Sequence, residues 1–158
     1  MTITLRPATR DDEGLLFELY RGSRESEIAA WGWDQAQQEA FLRMQFVARQ
    51  GQYGFQFSGA QDSIILHDEQ AIGRLFVMRG ESEIRLVDIA LLPAHQNSGV
   101  GTRLIEQLIE EGARSAKAIT LHVEMTSPAL KLYERLGFVP VSENGAHLFM
   151  RKNPDQST

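Results

Sequence analysis

Six residues, Gln96, Asn97, Ser98, Gly99, Val100 and Gly101, carry the clearest chemical signal in the chain. They join a strand-like run, Ile84 to Leu92, to a strongly periodic helix. A helix start exposes backbone N–H groups that have no intrahelical partner, together with the positive end of the helix dipole, so it attracts an anion. Glycines at 99 and 101 remove the Cβ atoms that would hold a ligand off the backbone. No Gly-Lys pair occurs, which excludes a P-loop, and Leu104 stands where a dinucleotide fingerprint needs a small residue. Two readings remain: an anion cradle with Arg103 as a nearby cation, or a turn that only tightens the connection between strand and helix.

The surrounding elements follow from periodicity. Ile3 to Arg6 reads as a first strand, and Thr9 with Asp12 resembles a capped helix start before Leu15, Leu16, Leu19 and Tyr20. Residues 22–33 read as an irregular charged segment ending in Trp31 and Trp33. Asp34 and Gln37 can cap a second helix whose apolar positions are Phe41, Met44, Val47 and Ala48, and residues 51–60 read as a loop. Three strands follow, at 63–67, 71–78 and 84–92, joined by short turns that imply an antiparallel meander. The helix after Gly99 aligns Leu104, Ile105, Leu108 and Ile109, so the next strand, Ile119 to Glu124, should run parallel to its predecessor. Ser127 and Pro128 open a short helix that Gly137 closes, and a final strand pair covers 138–141 and 146–151. The order β α α β β β α β α β β describes an α/β sandwich on a mixed sheet.

Composition narrows the classes. At 158 residues and 42% hydrophobic content, the chain suits one globular domain over residues 1–152, with 153–158 as a flexible tail. The absence of cysteine excludes disulfides and thiolate chemistry and makes a cytoplasmic location the expectation. No apolar run reaches ~20 residues, so neither a membrane span nor a secretion signal is expected. A net charge of −5 argues against nucleic acid as partner and leaves room for a cationic one. Nothing in the sequence chooses between monomer and homodimer.

The turn fits a Gln/Arg-x-x-Gly-x-Gly/Ala signature, and residues Ala129 to Phe138 (ALKLYERLGF) are similar to a second motif that follows it after one helix and one strand. In this pairing the chain resembles the GNAT superfamily of N-acetyltransferases. The resemblance implies a mixed, mostly antiparallel α/β sheet of six to seven strands, flanked by about four helices and splayed between the fourth and fifth strands. It implies acetyl-CoA as co-substrate and no metal. The pyrophosphate would lie on the backbone from Gln96 through Asn97, Ser98, Gly99, Val100, Gly101 and Thr102. The pantetheine arm would lie on Ile89, Ala90 and Leu91 as though it were another strand. Thr126, where the family often has asparagine, and Ala129 would also touch the coenzyme. Tyr133 occupies the general-acid position and would protonate the departing thiolate.

The resemblance implies a small-molecule or peptide amine as acceptor, whose ammonium would have to lose a proton before it attacks. Many family members use a glutamate on the fourth strand, but here that position is Arg85. Three substitutes are visible, Asp88 as a base or a structural carboxylate, Glu124 as a base, a substrate anchor or a solvated edge charge, and Glu83. Glu83 reads as a base or a solvated turn charge, and His95 as a surface residue. The segment between the first helices and the turn at 142–146 would border the acceptor, so Glu25, Glu27, Trp31 and Trp33 would suit a cationic group. The same residues also suit solvated charges and a core cap. A non-catalytic acyl-CoA-binding sensor or assembly module is the alternative to the enzyme, and a nucleotide-binding regulator is a third reading.

Overall fold

A computed structural model describes residues 2–154 of the chain. Strands are β1 Ile3–Pro7, β2 Gln61–His67, β3 Gln70–Arg79, β4 Glu83–Leu91, β5 Ala118–Glu124, β6 Val139–Asn144 and β7 His147–Lys152. Helices are α1 Glu13–Ala29, α2 Gln35–Gln56, α3 Val100–Ser115 and α4 Ala129–Arg135. The strands form one seven-stranded sheet in the order β1-β2-β3-β4-β5-β7-β6. The element order is the one periodicity gives. Of the tail expected at 153–158, residues 155–158 lie outside those described.

By contact density the chain divides into two units. One holds the chain up to Leu75 with Ile89–Gln96, and the other holds Phe76–Asp88 with the chain from Asn97 onward. β3 and β4 each run from one unit into the other.

In the first unit Thr9 and Asp12 form a reciprocal capping box over a 3-10 turn, Arg10–Asp12, that leads into α1. The Arg6 guanidinium grips the same Asp12 carboxylate through two hydrogen bonds of 2.8 and 2.9 Å, and the pairing holds its pKa down to about 2. Both helices outrun their expected ends. α1 continues to Ala29 through the segment read as irregular, because the Ser23 hydroxyl donates to the Tyr20 carbonyl and Arg24 pairs with Glu27. Ile28 near its end is fully buried, which stabilises by roughly 1.5–3 kcal/mol against leaving it exposed. α2 runs through Gly51 and Gly54 to Gln56, where a loop was expected, and the Arg49 guanidinium bonds the Tyr53 hydroxyl one turn on. A glycine inside a helix costs only about 1 kcal/mol, which such contacts can offset. The buried stripe of α2 is Leu42 and Phe46, whereas Met44 and Val47, expected on the apolar face, are exposed. Asp68 and Glu69 both take left-handed backbone angles and close the β2–β3 hairpin.

In the second unit β4 and β5 are parallel, with Glu83–Leu86 in register against Ala118–Leu121. That register ends there, although the strands continue to Leu91 and Glu124. Beyond β5, β7 and β6 pair antiparallel. α3 buries Val100, Leu104, Ile105 and Leu108, and Gly112 brings it so close to β5 that an added Cβ would fall 2.9 Å from the Ile119 Cδ1 atom.

Candidate functional site

The glycine turn is built to leave helix donors open. Asn97 and Gly99 both have positive φ, 58° and 89°, so the chain reverses twice before α3 begins at Val100. Gly99 is the N-cap and has no side chain to bond back, so the first turn of α3 has no side-chain cap. A Cβ at Gly99 would meet nothing within 4 Å, so glycine is required here by the backbone angle and the space beyond it is open. Exposed Arg103 lies in this first turn. Upstream, the Gln96 side-chain amide donates to the Leu91 carbonyl at 3.0 Å and fastens the turn to the end of β4.

At that end of β4, Ile89, Ala90 and Leu91 are all half-buried, where an ordinary surface strand would alternate. Leu92 donates its N–H to the Ile72 carbonyl at 2.8 Å. The neighbouring backbone comes so near that a Cβ on Gly73 would fall 2.3 Å from the Ala90 carbonyl oxygen and 2.8 Å from Leu91 Cδ2. Only glycine fits at that position.

Two of the expected catalytic residues are brought together within the second unit. Tyr133 is buried in α4, its ring edge-on to Phe138 at 5.6 Å. Burial first, and then the negative charge of Asp88, push its phenol up to about 12. Asp88 is therefore within electrostatic reach of the Tyr133 hydroxyl. Glu124 is exposed at the end of β5, its carbonyl accepting from the Ser127 N–H, and it lies opposite His147 in the sheet register. Thr126 is exposed in the following turn. The Ser127 hydroxyl accepts from the Ala129 N–H at 3.1 Å, but α4 begins one residue later than expected, with Pro128 as its N-cap and no side-chain cap.

Arg85 sits in a cluster that sequence reasoning did not foresee. Its Nε donates to the Thr120 hydroxyl at 2.8 Å, that hydroxyl donates to Glu83, and an Arg85 Nη lies 3.5 Å from the Glu83 carboxylate. Glu83 is thus bonded to the neighbouring strand while its side chain stays 39% exposed. The Arg85 guanidinium stands over the Phe149 ring at 5.1 Å, and the His122 ring lies 4.9 Å from the same phenylalanine. Partial burial, and then the charges of Arg85 and His147, lower the His122 pKa. The alternation of polar and apolar residues along β5 was the available signal, since it puts Thr120, His122 and Glu124 on one face.

Of the residues expected near the acceptor, Glu25, Glu27, Trp31 and Trp33 belong to the first unit and the turn at 142–146 to the second. Glu27 is exposed on α1 and paired with Arg24, and Glu25 lines a small cavity with Arg21, Gln35 and Glu39. Trp31 and Trp33 do not cap the core. Each is 39% exposed, and they pack edge-on to one another at 5.1 Å, with Phe41 at 5.4 Å from both. Among the described residues no helix is long and apolar enough to cross a membrane, and no group of three or more His, Asp or Glu could hold a metal.

The comparisons with known proteins fit this geometry. The family model described as "Acetyltransferase (GNAT) domain" matches residues 59–140, just over half of the chain and the whole stretch from β2 to α4. The chain belongs to the GNAT acetyltransferase family and is an acyltransferase. No curated protein matches it in sequence. Among solved structures it is similar in fold to the PaiA N-acetyltransferase of Thermoplasma acidophilum in complex with coenzyme A. That likeness has 18% identity, covers 97% of this chain and 99% of the other, and has a TM-score of 0.70. An acetyltransferase of Thermus thermophilus is similar at 20% identity, 96% coverage of both chains and a TM-score of 0.66. The ribosomal-protein-S18-alanine N-acetyltransferase of Escherichia coli is similar at 17% identity, with 99% of this chain and 97% of that one covered and a TM-score of 0.64.

Proposed function

We propose that residues 1–152 act as one acetyltransferase domain that moves the acetyl group of acetyl-CoA to a primary amine, by direct attack in a ternary complex. The observation that carries this reading is the uncapped start of α3 behind two left-handed residues, in a chain whose α4 also buries Tyr133 beside Asp88. The backbone from Asn97 to Thr102, with Gln96 holding the turn in place, would take the pyrophosphate. Ile89 to Leu91 would pair with the amides of the pantetheine arm, and Thr126 and Ala129 would flank it. A backbone N–H near Leu91 would stabilise the developing oxyanion.

Tyr133 then acts on the sulfur. Complete proton transfer from a phenol at about 12 to a thiolate whose acid has pKa ~8.5 costs about 5 kcal/mol at ~1.36 kcal/mol per unit. The phenol therefore works first as a hydrogen-bond donor to the departing sulfur, and the proton follows as CoA leaves. On the acceptor side, neutralising an alkylammonium at pH 7 costs more than ~4 kcal/mol, so a base or a water chain must take that proton. Asp88 and Glu124 are the two candidates.

Release of CoA measured over a panel of amines tests the reading. Turnover with at least one amine, reduced in Tyr133→Phe without loss of acetyl-CoA affinity, is the expected result. Tight acetyl-CoA binding with no turnover on any amine would instead favour a non-catalytic acyl-CoA sensor, the reading to which Arg85 in the usual base position lends support.

A further inference from the structure

We propose that Arg85 is an anchor for a carboxylate carried by the acceptor, so that the substrate class is amines bearing a carboxylate. This deepens the acetyl-transfer reading and rests on it.

The guanidinium is held in place by its neighbours. Its Nε is taken by Thr120, which is itself buried at 1% exposure, and its plane stands over Phe149. One Nη forms an ion pair of 3.5 Å with Glu83, the carboxylate that the Thr120 hydroxyl also bonds. Among the described residues no hydrogen bond or ion pair engages the other Nη. A guanidinium whose rotamer is fixed on one edge and whose far end keeps free N–H groups is suited to recognition of a planar carboxylate there.

The face it occupies is accessible. Thr120, His122 and Glu124 alternate with Ile119, Leu121 and Val123, and it is the latter row, at Ile119, that meets α3. His122 and His147 on the Arg85 side are exposed, and Phe149 is half-buried between them and Arg85. Arg85 also lies on β4, three residues before Asp88 in the same unit.

His122 offers a readout that does not need turnover. The charged and titratable groups on its face are Glu83 and Arg85 on β4, Glu124 on its own strand, and His147 and Arg151 on β7, while β6 adds only neutral Ser142 and Asn144 there. Arg85 helps to lower its pKa, so a carboxylate bound to Arg85 should raise the His122 titration midpoint followed by NMR. Acetate should raise it in the wild type, acetamide should not, and Arg85→Gln should start higher and ignore acetate. Equal effects of acetate and acetamide, or an acetate response that survives in Arg85→Gln, would overturn the anchor.

The kinetic arm compares dipeptide amines with their C-terminal amides. The wild type should favour the carboxylate member by roughly tenfold or more in kcat/KM, and Arg85→Gln should bring the ratio near one through KM, with the acetyl-CoA KM unchanged. Arg85→Lys, which keeps the charge and loses the fork, should fall between. A wild-type ratio near one, or one unchanged in Arg85→Gln, would sink the proposal while leaving acetyl transfer intact. Transfer to no amine at all would sink the acetyl-transfer reading, and the acetate titration would still decide whether Arg85 binds a carboxylate.

Discussion

Tyr133 and Gly99 do their proposed work through unlike properties, and their variants should separate accordingly. Because burial and Asp88 hold the phenol at about 12, Tyr133 stays protonated throughout the range in which such an enzyme is assayed. Its ionisation should therefore leave no limb in a pH–rate profile below about pH 10. Tyr133→Phe should lower kcat about 100-fold and leave the acetyl-CoA Kd within twofold, since a donor that acts in the transition state adds little to ground-state binding. Gly99→Glu should do the reverse and weaken acetyl-CoA binding more than about tenfold, because it adds negative charge where the helix dipole favours an anion. Gly99→Ala shares the left-handed strain without the charge and should retain most of the affinity, as calorimetric titration of both variants can check. Gly99 could be picked out from its place at a strand-to-helix junction, and Tyr133 from the resemblance of its motif to that of the family. The environment of Arg85 could not. Its partners Thr120 and Phe149 lie on other strands, and only the sheet register brings them to its side.

Glycine also explains where the reading of the elements succeeded and where it failed. Gly99 and Gly137, both with positive φ, punctuate the chain as expected. Gly22, Gly51 and Gly54 were read as the same kind of signal, yet they lie inside α1 and α2 with open space around each missing Cβ. There the helix continues because side-chain bonds a turn apart, such as Arg49 to Tyr53, outweigh a modest propensity cost. Gly73 is a third case, with a strand backbone pressed against Ala90. Gly73→Ala must displace that carbonyl, so it should destabilise the fold by about 1–3 kcal/mol in denaturant titrations and weaken acetyl-CoA binding at the adjoining Ile89–Leu91. Wild-type affinity in a destabilised Gly73→Ala would separate the packing role from the proposed binding role.

The layout of seven strands and four helices was legible from the alternation of periodicities, whereas the division into two units was not, since it depends on contact density across distant segments. Each unit holds a carboxylate whose pKa an arginine depresses: Asp12, through Arg6, in the first, and Glu111, through Arg79, in the second. A depressed carboxylate contributes stability that is complete above its unfolded pKa, about 4, and is lost as pH falls through the folded value. Acid titration should therefore erode stability from about pH 4 toward pH 2, and Asp12→Asn, followed by circular dichroism, should flatten that slope while lowering stability at pH 7. The interleaving of the units has a consequence for synthesis. The first unit is complete only when Ile89–Gln96 has been made, after the chain has already passed through Phe76–Asp88. At roughly 5–20 residues per second a ribosome needs on the order of a second for that detour, during which the Ile72 carbonyl lacks the Leu92 N–H that it later accepts. The nascent chain thus carries an unfinished sheet until the strand end that leads into the glycine turn emerges.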